Sequence, residues 1–284
     1  MDQESSILRM HLDMKGPLIF VLILWIGTGC TNSNSDKKGI HRDDNQIQSI
    51  NFKVVKTFPH DTESFTEGLI FHDNQLFEST GSPEEYPKTR SVIGIVDLKT
   101  GKIDVKVELD RNSYFGEGIV FFKDKLFQLT YKNQTGFIYD SKTYKKVGFF
   151  TYLNKEGWGL TTDGKDIIMS DWTNIITYLD PDSLKVVKTL NITFNGSSAL
   201  YMNELEFING FLYANIWTTN NIAKIDPQTG KVIGIINLSS LFLKAKKEYP
   251  MSEVTNGIAY DSSKDRIFVT GKFWPTIYQI KFPH

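Results

Sequence analysis

Two stretches of the chain place a carboxylate beside a glycine, just after an aromatic and just before an apolar run: Glu67 in "SFTEGLIF" and Glu117 in "YFGEGIVF". An acid with such small neighbours has little local shielding and suits proton transfer or the holding of a cation. Three equivalent phrases follow: Trp158 in "EGWGLTT", Asn203 in "NELEF" and Asn256 in "TNGIAY". Lys272, in "TGKFWP", adds a cation, and Phe65, Phe115, Trp158, Trp217 and Trp274 lie in or next to these phrases. Taken singly, each has a structural reading, since a ring before a strand packs between sheets and a Glu beside Gly serves a turn. Brought to one place, two acids, an amide, a lysine and several rings would make an apolar pocket with a few convergent polar groups, the usual form of a small-molecule site.

What could bring them together is an internal repeat. The phrases recur at intervals of about 40–50 residues, the spacing of propeller blades. Each opens an apolar strand, followed by a tight polar turn ("HDNQ", "KDK", "DGK", "NG", "SSKD") and a second strand. Third and fourth strands flank a second set of turns, among them "DLKTG" and "DPQTG". Four strands in each of five units predict an all-β, five-bladed β-propeller over residues 48–284. The last unit lacks one strand, and the orphan run "INFKVVKTF" from Ile50 is expected to supply it and close the ring. "SSLFLKAKKEY", Ser239 to Tyr249, predicts one short helical insertion. Lining the channel with the first strand of each unit places Glu67, Glu117, Trp158, Asn203 and Asn256 around one mouth.

Composition narrows the chemistry. Lys+Arg 32 against Asp+Glu 33 leaves a net charge of −1, so nucleic acid is not an expected partner. Aromatics at 13% suit strands. The five histidines lack zinc-ligand spacing, and there is no nucleophile elbow or dinucleotide fingerprint. Ahead of the repeats, "PLIFVLILWIGTG" reads as the apolar part of a signal peptide over residues 1–29, with Met14 an alternative start. The single cysteine, Cys30, follows small residues and resembles the lipobox of bacterial lipoproteins, although Gly27 stands where that pattern prefers Leu. An ordinary cleaved signal peptide is the other reading. Residues 30–47 read as a flexible tether. The expected location is therefore the cell envelope as a lipid-anchored protein, or else periplasmic or secreted.

The phrases "SFTEGL", "YFGEGI", "EGWGLTTDG", "NELEFINGFLYANIW", "NGIAYD" and "VTGKFWP" together resemble the glutaminyl-peptide cyclotransferases of the plant and bacterial type, also called glutamine cyclotransferases. The resemblance runs from about Phe65 to Pro275. It implies a five-bladed propeller that converts N-terminal glutamine of peptides and proteins to pyroglutamate with release of ammonia. No cofactor or catalytic metal is expected for that reaction, a structural cation on the axis is compatible with it, and a monomer is expected. By the same resemblance Glu117 is the proton shuttle, Asn203 and Lys272 hold the carboxamide oxygen and the intermediate, and Phe65, Phe115, Trp158 and Trp217 wall the pocket. Glu67 stands where the family commonly has Gln, Tyr131 where it often has Trp, and Trp172 where a small residue is usual; Glu67 and Tyr131 are counted among the substrate-binding residues. Two other readings stay open on the residues alone: a non-catalytic cell-surface binding module, and a metal-dependent hydrolase or lactonase using Glu67, Glu117, Asn203 and Asn256.

Overall fold

The computed structural model describes residues 47–284. The signal peptide, Cys30 and the tether up to residue 46 lie outside the described residues. Five antiparallel sheets surround one axis. Blade 1 holds strands Phe65–His72, Gln75–Gly81, Val92–Val96 and Ile103–Glu108. Blade 2 runs from Gly116–Phe122 out to Lys146–Thr151, and blade 3 from the short Leu160–Thr162 out to Val186–Asn191. Blade 4 runs from Met202–Ile208 to Val232–Asn237. Blade 5 begins with Thr255–Asp261, Arg266–Gly271 and Thr276–Lys281. The first strand of each blade packs against the first strands of both neighbouring blades, which closes the ring.

The ring is sealed by the N-terminal segment, as the missing strand predicted. Lys53–Pro59 pairs antiparallel with Thr276–Lys281, from Lys53 opposite Lys281 to Pro59 opposite Thr276. A second seal was not foreseen: Gln48–Ser49 pairs parallel with the outer strand of blade 4 at Gly234 and Ile235. The same short segment thus covers two sheet edges that would otherwise be open to pairing with another chain. The helix spans Ser239–Glu248, between blades 4 and 5, and buries Leu241 and Ala245.

The alternation that marked the strands fills the space between blades. Phe58, Leu69, Ala259, Phe268 and Ile277 pack together between blades 5 and 1. Ile119, Phe127, Leu160 and Met169 join blades 2 and 3. Each large aliphatic or aromatic side chain fully buried there is worth about 1.5–3 kcal/mol, and the Ala259 methyl less. A buried ion pair fixes the closing strand where it ends. His60 Nε2 lies 3.1 Å from both carboxyl oxygens of Glu78, and its Nδ1 lies 2.8 Å from the Trp274 carbonyl oxygen. Burial opposes the charge on His60, but Glu78 and the Trp274 carbonyl together hold its pKa above the ordinary value.

Candidate active site

The repeated phrases correspond to a repeated irregularity. In four of the five first strands the pairing register shifts at the phrase: between Thr66 and Gly68, Gly116 and Ile119, Met202 and Leu205, and Thr255 and Ile258. An extra residue in a strand turns side chains out of the regular alternation. The residues inside these bulges are Glu67, Glu117 with Gly118, Asn203 with Glu204, and Asn256 with Gly257, and in blade 3 Trp158 stands just before the strand starts. The glycines allow the close approach this needs. A Cβ on Gly118 would lie 2.6 Å from both the Leu160 nitrogen and the Trp158 carbonyl oxygen. Gly257 has a φ of +115°, which side-chain-bearing residues rarely adopt.

Second strands pin the bulges of the next blade. Ser79 Oγ donates to the Glu117 carbonyl oxygen at 2.6 Å, and Ser170 Oγ to that of Asn203 at 2.7 Å. The Gly257 N–H donates to Asn215 Oδ1 at 3.0 Å. Nearer the centre, Glu204 accepts the N–H groups of Leu69 and Ile258, so blade 4 ties together blades 1 and 5. The rim residues are thus held by backbone and by their neighbours, as a preorganised site requires.

One side of the site is ionic. Lys272 Nζ donates to Glu67 Oε1 at 2.7 Å, and Asn256 Nδ2 donates to Glu67 Oε2 at 3.1 Å and to the Thr66 carbonyl oxygen at 2.9 Å. Lys272 also sits 4.1 Å from the centre of the Phe65 ring, a cation–π contact. Glu117 is buried, and its Oε2 has no hydrogen-bond partner among the described residues; the same holds for Asn203 Oδ1 and Asn256 Oδ1. Burial pushes the Glu117 carboxyl well above the usual range, the negative charge of Glu67 adds to this, and Lys272 opposes it. Burial likewise raises Glu67 against the pull of Lys272. Burial costs a charged carboxylate its hydration, which raises both groups, and the direct ion pair with Lys272 offsets part of that for Glu67.

Aromatic rings form two walls. Phe65 meets Phe115 edge-on at 6.1 Å, and Phe115 meets Tyr131 at 5.7 Å. Trp158 and Trp217 meet edge-on at 5.6 Å, and the Trp158 indole N–H donates to Glu156 Oε2 at 3.0 Å. Glu67, Glu117, Asn203 and Asn256 stand at the strand heads, with Lys272 paired to Glu67 and the rings of Phe65, Phe115, Tyr131, Trp158 and Trp217 around them.

Trp274 is the correction. It was expected at the rim but is fully buried, packed with Phe242 and Tyr278, its indole N–H donating to the Glu253 carbonyl oxygen. Phe273 takes the rim position instead, 5.2 Å from Phe65 and 4.8 Å from Tyr86. Its φ of 61° reverses the alternation that would have set Trp274 on the side of Lys272. Tyr86 was missed as well. It lies in the loop between the second and third strands of blade 1 and donates to Glu253 Oε1 at 2.8 Å, and its loop has no period from which to read its direction.

No group of three or more His, Cys, Asp or Glu side chains that could hold a metal ion is found among the described residues. Of the four residues of the hydrolase alternative, Glu67 is engaged by Lys272 and by the Asn256 amide nitrogen, while Glu117, Asn203 and Asn256 each keep an oxygen without a partner among the described residues.

Comparison with known proteins agrees with this geometry. A sequence profile of the family described as glutamine cyclotransferase matches residues 21–282. The chain is 45% identical, over 231 residues, to a glutaminyl-peptide cyclotransferase of Arabidopsis thaliana, covering 81% of this chain and 70% of that protein. The crystal structure of Myxococcus xanthus glutaminyl cyclase superposes with a TM-score of 0.76 at 30% identity, covering 84% of this chain and 98% of that one.

Proposed function

The chain belongs to the glutamine cyclotransferase family, and from that premise we infer that it is a glutaminyl-peptide cyclotransferase, closing the N-terminal glutamine of peptides to pyroglutamate with loss of ammonia. The observation that carries the chemical assignment is the buried Glu117 carboxyl, unpartnered at Oε2 and raised in pKa beside the Glu67–Lys272 pair.

The reaction asks a weak nucleophile to attack an unreactive carboxamide within one residue. A free peptide amine has a pKa of about 7.7–8.0. A carboxylate of ordinary strength is a poor base for it, whereas one raised by burial is better matched. Starting from the neutral amine, a proton passes from the attacking nitrogen to Glu117 as the N–Cδ bond forms. Glu117 passes that proton to the carboxamide nitrogen, the Cδ–N bond breaks, ammonia departs and the carboxylate is restored. The oxyanion formed at Cδ is held by Lys272 and Asn203. One of the three ammonium N–H bonds of Lys272 goes to Glu67, leaving two for the substrate. Phe65, Phe115, Tyr131, Trp158 and Trp217 enclose the two methylenes of the glutamine and keep the flexible side chain folded for ring closure, where proximity contributes most. Glu67 fixes Lys272 and, as a second negative charge, favours the incoming ammonium.

No cofactor enters any of these steps, and the protein is proposed to act as a monomer on peptides. Export and lipid anchoring through Cys30 are proposed on the sequence alone; a Cys30→Ser variant that stays in the detergent phase on partition would contradict the anchor. The activity itself is tested by mass spectrometry of a peptide beginning with Gln. Loss of one ammonia, with and without chelator, is expected. An unmodified peptide, or activity abolished by chelator and restored by metal, would overturn the reading.

A further inference from the structure

Beyond the glutamine pocket, the Trp158–Trp217 wall continues outward as an aromatic shelf. Tyr201 lies 5.7 Å from Trp217, with the rings edge to face. The backbones of three of the aromatics are linked in a row: the Tyr201 N–H donates to the Trp172 carbonyl oxygen at 3.0 Å, and the Trp217 N–H to the Tyr201 carbonyl oxygen at 2.9 Å. Trp172, Leu200, Tyr201 and Trp217 are 40%, 41%, 38% and 37% exposed, four large apolar side chains open to solvent on segments joined by these backbone bonds. Single exposed apolar residues need no explanation, but a contiguous group at the edge of a site does. Two of the loop positions are also held in an uncommon conformation: Tyr201 has a φ of 67°, and Thr218, next to Trp217, a φ of 69°. A bulky residue there carries strain, which in folded proteins clusters at ligand-binding positions.

We propose that this shelf binds the residues that follow the N-terminal glutamine, and that it selects peptides whose second residue is large and apolar. The proposal rests on the cyclotransferase reading. With the glutamine enclosed between the two aromatic walls, the rest of the peptide must leave across the rim, and Trp217 belongs to both the pocket wall and the shelf. The shelf offers ring faces and edges rather than charges, so an aromatic or branched aliphatic side chain gains most from covering it.

The test compares kcat/KM for glutamine amide, Gln-Gly-Ala and Gln-Phe-Ala in the full-length protein and in two variants. Tyr201→Gly suits the purpose, because glycine adopts a positive φ freely and both backbone hydrogen bonds of Tyr201 survive. Trp172→Ala is the second variant. The wild type is expected to favour Gln-Phe-Ala over Gln-Gly-Ala by about tenfold, the order expected of one well-placed aromatic contact. Each variant should reduce that ratio to about twofold or less. The proposal is overturned if the wild type shows no such preference, or if the variants slow glutamine amide in parallel with the peptides. It is also overturned if the ratio holds while the variants change the oligomeric state, which would make the shelf a contact between copies. Failure of the wild type to cyclise glutamine amide or either peptide would instead overturn the cyclotransferase reading, and this proposal with it.

Discussion

Lys272 and Glu67, 205 residues apart in the chain, form an ion pair of 2.7 Å at the mouth of the propeller, with side chains 7% and 3% exposed. Breaking such a pair leaves a buried charge alone. Keeping it gives the pocket a fixed cation, and a carboxylate close enough for its charge to raise the pKa of Glu117.

The first prediction concerns that influence. Replacing Glu67 by Gln removes a negative charge near Glu117 and leaves Lys272 in place. Losing the repulsion while keeping the attraction of Lys272 favours the ionised form of Glu117, so its pKa falls. The acidic limb of the kcat/KM profile against pH should move to lower pH in Glu67→Gln. A limb that stays put or moves upward would show that Glu67 does not act on the titrating group.

The second concerns stability. Because the Glu117 pKa is raised in the folded protein, the folded state binds more protons than the unfolded one above about pH 4.5. Its contribution therefore turns increasingly unfavourable as pH rises from there towards the folded pKa. Glu117→Gln removes this cost. Thermal melts should show the variant at least as stable as the wild type, with the gap wider at pH 8 than at pH 5. A variant that loses stability as pH rises relative to the wild type would contradict the assigned shift. A functional group that costs stability is a common feature of active sites.

The third addresses the seal of the ring. The raised pKa of His60 means that its pair with Glu78 contributes fully below about pH 6.5 and is lost as pH rises through the folded value. His60→Ala leaves Glu78 buried without its cation and should cost about 3–5 kcal/mol near pH 6. The deficit should shrink at alkaline pH. Chemical denaturation at the two pH values measures it, and a pH-independent deficit would contradict the ion-pair account.

Much of this was legible in the chain because a propeller repeats its grammar. Strand, tight turn and strand recur, so the blades, the missing fourth strand and its N-terminal replacement could be read without a structure. The bulges were legible only indirectly: the polar residue followed by Gly in "TEG", "GEG" and "TNG" marks them, but that Glu67 and Asn256 share one hydrogen bond depends on ring closure. Trp274 groups with the rim rings in sequence because it follows Lys272 closely, but the left-handed residue at Phe273 turns the chain there, so Phe273 meets Phe65 and Trp274 is buried. Tyr86 and the parallel pairing of Gln48–Ser49 with blade 4 come from loops and edges, where no period exists. Glu204, which ties two neighbouring blades through backbone N–H groups, looked like one more acid in "NELEF".

The account stands most directly on one comparison: ammonia release from a peptide beginning with Gln by the wild type and by Glu117→Gln, each shown by thermal melt to be folded. Loss of a proton shuttle predicts a fall in kcat of about 10²–10⁴ in a variant that melts no lower than the wild type. Equal turnover by the two proteins would contradict it, and the proton would then have to travel by a group other than Glu117.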